Sequence, residues 1–309
     1  MKDKYKPKPK KNILEIKPKT FPVSFLIIDK TTKLSINTLA ISNYSNEEIL
    51  YKALDSSSKG DTAKAEKYYE FLIGKKFNDP RIFSNYGVIL EEKGNIKKAI
   101  KIYQKFTNLF PNNSEAFHKL GNLLKNCGNY NSAEVYQKKA IKINPQYSEA
   151  YNNLASILIA LNNLKEAENS IRQAIQISPN NATYLVNLGN ILRRTGNLKE
   201  AEIFTRKAIY ISPNYFLAHN NLGSILMDLG KLKEAELSFR KAIHINPNYG
   251  ISHLNLGSLL RDLGKLNEAE LSTRKAIELN PEFAEAHSNL GNIFSDLDNL
   301  KEAELSQRK

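Results

Sequence analysis

The sequence has no tryptophan, one cysteine and only 14 glycines in 309 residues. A fold anchored on tryptophan and a glycine-rich β architecture are therefore not suggested. With Cys127 alone, no internal disulfide can form, and a reducing compartment is the simplest reading. No run reaches the roughly 18 consecutive apolar residues of a membrane span. The basic N-terminus is followed by a short apolar patch, Phe21 to Ile28, that contains Pro22 and precedes no small-residue cleavage site. No secretory signal is expected from it, and the expected location is the cytoplasm. Phosphate-binding glycine loops, nucleophile elbows and zinc-protease motifs are all missing. The chain is thus read as no enzyme, with no catalytic residue, no small-molecule substrate and no cofactor.

Hydrophobic residues make up 41% and charged residues 25% of the chain, proportions normal for a protein that buries a core. Net charge is +13, but residues 1–45 supply +7 of it through ten lysines against Asp3, Glu15 and Asp29, leaving +6 for the rest. The Lys/Pro-rich stretch 1–45 is expected to be a partly disordered solvating arm. It has almost no aromatic interleaving, so nucleic acid is not expected as a partner. Residues 21–45 leave open a short strand or a hydrophobic cap on the segment that begins at residue 46.

From residue 46 the chain repeats every 34 residues: 46–79, 80–113, 114–147, 148–181, 182–215, 216–249, 250–283 and an incomplete 284–309. Position 20 of every unit is alanine, from Ala65 to Ala303. Position 32 is Pro111, Pro145, Pro179, Pro213, Pro247 and Pro281, with Phe77 in the first unit. Position 15 is glycine except at Asn162 and Asp298. Within 216–249, Leu222, Leu226 and Leu229 show helical spacing, as do Leu232, Ala235, Phe239, Ala242 and Ile245. Each unit is therefore predicted to be two amphipathic helices. Gly230 suits the left-handed residue after the first, and Pro247 ends the second. Small residues at position 8 (Gly87, Gly121, Gly189, Gly223, Gly257, Gly291) and the alanine at position 20 allow close helix approach. Pairs such as Glu202–Arg206, Glu236–Arg240 and Glu270–Arg274 mark a solvated face.

These features resemble the tetratricopeptide-repeat family across residues 46–309. The resemblance implies an all-α fold, a right-handed α-solenoid of helix–turn–helix units. Its concave groove, lined by the first helices, would hold a protein or an extended peptide. One helix pair cannot bury its apolar face alone, so neighbours complete the core. Position 6 of the first helix reads Asn85, Lys119, Asn153, Asn187, Asn221, Asn255 and Asn289. Each carboxamide offers a donor and an acceptor, so the asparagine column can bond to peptide main chain whatever its side chains. Asn122, Asn190 and Asn292, three positions on, form a secondary row. The column and the wording "NLGNILRRTGNLKEAE" are similar to the repeats of protein O-linked N-acetylglucosamine transferases and SPINDLY-like proteins. A by-product of repeat duplication remains the alternative explanation of the column, and Lys119 interrupts it.

His219, His253 and His287 recur at position 4, a bulky packing position in the family. Repeats stand at least one helix layer, roughly 8–10 Å, apart, too far to share a metal, so no metal site is expected. Cys127 is read as a structural thiol, and the sequons at Asn112 and Asn181 as chance. The final unit stops inside its second helix, and Leu290, Phe294, Leu297, Leu300 and Leu305 are expected to face solvent on one side. That leaves self-association open through the uncapped C-terminal repeat. It also leaves two functions: an interaction scaffold, or the substrate-recognition arm of a longer glycosyltransferase or sulfotransferase.

Overall fold

The computed structural model describes residues 43–297, fifteen α-helices with no strand among them. They pair as α1 (Asn46–Ser58) with α2 (Thr62–Gly74), α3 (Pro80–Glu92) with α4 (Ile96–Leu109), and α5 (Ser114–Asn126) with α6 (Tyr130–Ile143). Next come α7 (Ser148–Ala160) with α8 (Leu164–Ile177), and α9 (Ala182–Arg194) with α10 (Leu198–Ile211). The last are α11 (Phe216–Asp228) with α12 (Leu232–Ile245), α13 (Gly250–Asp262) with α14 (Leu266–Leu279), and α15 (Ala284–Asp296). The architecture is a helical-repeat solenoid. The expectations for residues 1–42 and for Leu300 and Leu305 lie outside the described residues.

The turns arise from local chemistry. After α11, Gly230 takes φ +72°; its N–H donates to Met227 O at 3.0 Å and the Lys231 N–H to Leu226 O at 2.8 Å. Both bonds of a Schellman cap are present, and they satisfy carbonyls that the helix end would leave open. Asn162, where the glycine pattern breaks, holds the same conformation at φ +58°. Asparagine is among the few L-residues that visit this region routinely. Helix starts are capped by Asn113, Asn129, Asn163 and Asn181, whose side chains accept from backbone N–H groups two or three residues on. Asn181 is thus a helix cap.

Packing within each pair is a knob in a hole. Ala65, Ala99, Ala133, Ala167, Ala201, Ala235 and Ala269 are fully buried. Position 8 faces position 24 of the same unit: Gly87 meets Tyr103, Gly121 meets Gln137, Gly189 meets Thr205, Gly223 meets Phe239 and Gly257 meets Thr273. A methyl group on Gly223 would sit 2.6 Å from the Phe239 ring, so the glycine creates the hole that the fully buried phenylalanine fills. One expectation is corrected at the far end. Leu290 and Phe294 are 5% and 4% exposed, with Ile277 of α14 packed against them, while Leu297 remains exposed.

Candidate peptide-binding groove

First helices of successive repeats touch one another: α9 contacts α11, α11 contacts α13 and α13 contacts α15. Closer spacing on that side bends the stack toward the first helices, which form its inner face.

The position-6 residues lie along that face, but their amides are not equally free. Asn85 donates from Nδ2 to Arg81 O of its own helix at 2.8 Å. Asn153 Nδ2 donates to Asn122 Oδ1 at 3.3 Å, and Asn153 Oδ1 accepts from Lys125 Nζ at 3.3 Å. Burial lowers the pKa of that lysine. Asn187 Nδ2 donates to Asn152 Oδ1 at 2.7 Å, and Asn255 Nδ2 donates to Asn220 Oδ1 at 3.1 Å. Asn220 Oδ1 also accepts from Ser252 Oγ at 2.9 Å. Asn289 turns inward: it is 8% exposed and donates to Thr273 Oγ1 at 3.0 Å. Asn221 is half-buried and makes no side-chain hydrogen bond among the described residues. Beside it in sequence register, the buried Thr205 Oγ1 also has no partner there.

Among the described residues, the amides of the column thus differ in what they leave free. Asn187 and Asn255 spend their donors on the position-5 asparagine of the preceding repeat and keep their acceptors open. Asn221 keeps both. In the secondary row Asn122 is tied to Asn153, Asn190 is half-buried, and Asn292 is exposed. Sequence reasoning missed Asn152 and Asn220 as supports. Their signal is the doublet Asn-Asn at 152–153 and 220–221. Lys119, which interrupts the column, is half-buried.

His118 occupies position 5 in the third unit. Its Nδ1 lies 3.1 Å from Gln137 Oε1, and Gln137 Nε2 donates to its carbonyl at 3.3 Å. Burial pushes the His118 pKa down, against the Gln137 bond, and Lys119 adds to the depression while Glu149 and Glu115 oppose it. Cys127 caps α5, exposed and without a partner. Among the described residues no group of three or more His, Cys, Asp or Glu comes together, and no helix is long and apolar enough to cross a membrane.

Comparison with known proteins agrees with this architecture. Models described as tetratricopeptide repeat or TPR repeat match residues 80–113, 114–147, 148–181, 182–215, 216–249 and 257–298. A search of curated proteins returns no significant match. Among solved structures, a tetratricopeptide-repeat protein of Parabacteroides merdae is 18% identical with a TM-score of 0.67, over 81% of this chain and 98% of that one. A chain of the APC/C Cut9–Hcn1 hetero-tetramer is 17% identical with a TM-score of 0.65, over 88% of this chain and 53% of that one. PilF of Pseudomonas aeruginosa is 22% identical with a TM-score of 0.56, over 62% of this chain and 88% of that one. At these identities the likeness concerns the fold. With five consecutive repeat matches in register and a sixth match over 257–298, the chain belongs to the tetratricopeptide-repeat family.

Proposed function

We propose that the chain is a protein-interaction scaffold whose inner face holds an extended peptide by its main chain. The observation that carries this is the state of the amides between residues 187 and 255. Asn187 and Asn255 are held in place by Asn152 and Asn220 while their Oδ1 atoms stay unspent, and Asn221 is uncommitted. Extended peptide presents N–H and C=O groups at regular spacing, and a fixed column of acceptors can bond to it without reading side chains. The supporting asparagines reduce the ordering cost of binding, because two of the three amides are already positioned.

The test is binding of a degenerate peptide library to the full chain, wild type against Asn187→Ala, Asn221→Ala and Asn255→Ala combined. Broad binding that falls at least tenfold in the variant, with helicity by circular dichroism retained, is the expected result. Equal binding by both proteins would refute the reading. The same column favours a second one, that the repeats act as the substrate-recognition arm of a larger protein-modifying transferase. A transferase domain encoded in frame beyond Lys309 would support it, and a stop codon there would end it.

A further inference from the structure

The outer, second helices carry an apolar surface that the fold does not use. Ile203 of α10 is 65% exposed, and Leu237 of α12 and Leu271 of α14 are each 70% exposed. All three occupy position 22 of their repeats, so they recur every 34 residues as one stripe running across consecutive second helices. Tyr210, near the end of α10, is 87% exposed. Inward-facing positions of the same helices are already filled by Ala201, Thr205 and Ala208 in α10 and by Ala235, Phe239 and Ala242 in α12. Between α10 and α12 lies an open cleft of about 460 Å³, bounded by Ile209, Tyr210, His219, Leu222, Leu237 and Lys241 among others.

The charges around the stripe are not balanced. Every carboxylate on α10 and α12 is engaged: Glu200 by Arg172, Glu202 by Arg206 and Lys231, Glu234 by Arg206, and Glu236 by Arg240 and Lys265. Lys199 and Lys207 stand four residues either side of Ile203, and Lys233 and Lys241 four residues either side of Leu237. None of these four lysines has a carboxylate partner among the described residues. On α10 and α12 the uncompensated charge is therefore positive, and it borders Ile203 and Leu237 on both sides; beside Leu271 the same positions are Asn267 and Lys275, and Lys275 pairs with Glu278.

We propose that this outer stripe docks an acidic amphipathic helix of a partner protein. The partner's apolar row lies along Ile203, Leu237 and Leu271, and its Asp and Glu side chains face Lys199, Lys207, Lys233 and Lys241. A bulky apolar side chain of the partner enters the cleft between Tyr210 and Leu237. A second copy of the chain fits less well, since it would set the same lysine columns against each other. Two inter-repeat steps, each at least the roughly 8–10 Å of packed helices, span about 20 Å, the length of about 13 helical residues. The partner helix must be at least that long. This site is separate from the inner groove and does not depend on it.

The probe is a fluorescein-labelled 18-residue amphipathic peptide with a leucine stripe flanked by glutamates, and a control with lysines in place of the glutamates. Anisotropy titrations use the full chain as wild type, as Ile203→Glu/Leu237→Glu/Leu271→Glu, as Lys207→Ala/Lys241→Ala, and as the inner-face Asn187→Ala/Asn221→Ala/Asn255→Ala variant. The expected result is binding of the acidic peptide alone. It should fall at least tenfold in the stripe variant, fall several-fold with a flatter salt dependence in the lysine variant, and persist in the asparagine variant. The substituted side chains are exposed, so circular dichroism should show an unchanged fold. Equal binding of both peptides, no binding, or loss only in the asparagine variant would overturn the proposal. Two further outcomes would also overturn it by naming a different occupant. One is a dimer by sedimentation that the stripe variant abolishes. The other is stripe-dependent binding to phosphatidylcholine–phosphatidylserine vesicles without peptide binding.

Discussion

His253 Nε2 lies 2.9 Å from the carbonyl oxygen of Pro247, and the imidazole N–H donates to it across the turn between two repeats. The same bond recurs between His219 and Pro213 at 2.8 Å and between His287 and Pro281 at 2.9 Å. Each fixes a proton on Nε2 and ties a first helix to the turn preceding it. The periodic histidines, which as a bare sequence pattern suggest a metal column, are latches between repeats. His253 is 9% exposed, so its bond is shielded more than that of the more exposed His219.

His253→Phe keeps the bulk of the ring and removes the donor. It is expected to destabilise the chain by about 1 kcal/mol, the net worth of a hydrogen bond between neutral groups. His219→Phe, in a wetter site, should cost less. Urea midpoints at unchanged m-value measure both. Equal stability of His253→Phe and wild type would show that the latch contributes nothing.

Glycine substitutions separate close packing from backbone conformation. Gly223→Ala pushes a methyl into the Phe239 ring, 2.6 Å away, and should cost about 1–3 kcal/mol through overpacking. Combined with Phe239→Ala, which alone should cost about 3–5 kcal/mol, the pair should be markedly less than additive, because each relieves the other's defect. Gly250→Ala is the control. Its new methyl would meet nothing nearer than 3.5 Å, and a small gain from reduced unfolded-chain freedom is expected. Thermal melts of the four proteins decide it; strict additivity would mean that the two side chains do not share one space.

A pH dependence arises from His118, whose folded pKa is depressed by burial. The unfolded chain then takes up the proton first. Stability is complete above the ordinary histidine value of about 6.5 and is lost as pH falls from there toward the lower folded value. His118→Gln should flatten the urea midpoint between pH 7 and 5. A midpoint rising as pH falls over that window in the wild type would contradict the sign.

The 34-residue period, the alanine at position 20 and the proline at position 32 were legible because each unit must solve one packing problem against identical neighbours. Gly223 could be read as a close-approach residue, and Phe239 as a core residue. That one fills the hole left by the other depends on the crossing of two helices, which spacing alone does not give. The asparagine column was legible as a column. Its internal bonding was not, because it depends on position 5 of the preceding repeat, where Asn152 and Asn220 alternate with His118, Val186 and Leu254. The tail of the array misled for a related reason. Leu290 and Phe294 look unpartnered in sequence, yet Ile277 of the unit before packs against them.

The charged pairs on the second helices also reach farther than their i,i+4 spacing implies. Arg206 bonds Glu202 at 2.9 Å within α10 and Glu234 of the next repeat at 2.9 Å; Arg172 and Arg240 do the same with Glu200 and Glu268. The arginines and their inter-repeat glutamates Glu200, Glu234 and Glu268 are exposed, so each inter-repeat link should contribute only about 0–1 kcal/mol. Arg206→Ala and Arg240→Ala are expected to lower the thermal midpoint slightly in low salt and not at all in 1 M NaCl, where the screening length is about 3 Å. The Gly223→Ala cost, being steric, should persist in salt. Acid provides an independent check on the same ladder. The bond from Lys265, outweighing partial burial, and the Arg240 guanidinium hold the Glu236 carboxyl below its usual range. Its contribution is therefore present above the ordinary glutamate value of about 4.3 and is lost as pH falls through the lower folded value. Glu236→Gln should remove part of the acid-side loss while leaving the His118 window intact. If the double arginine variant instead lost several kcal/mol that salt did not restore, the ladder would be holding the repeats together, and its solvated geometry would be a poor guide to its strength.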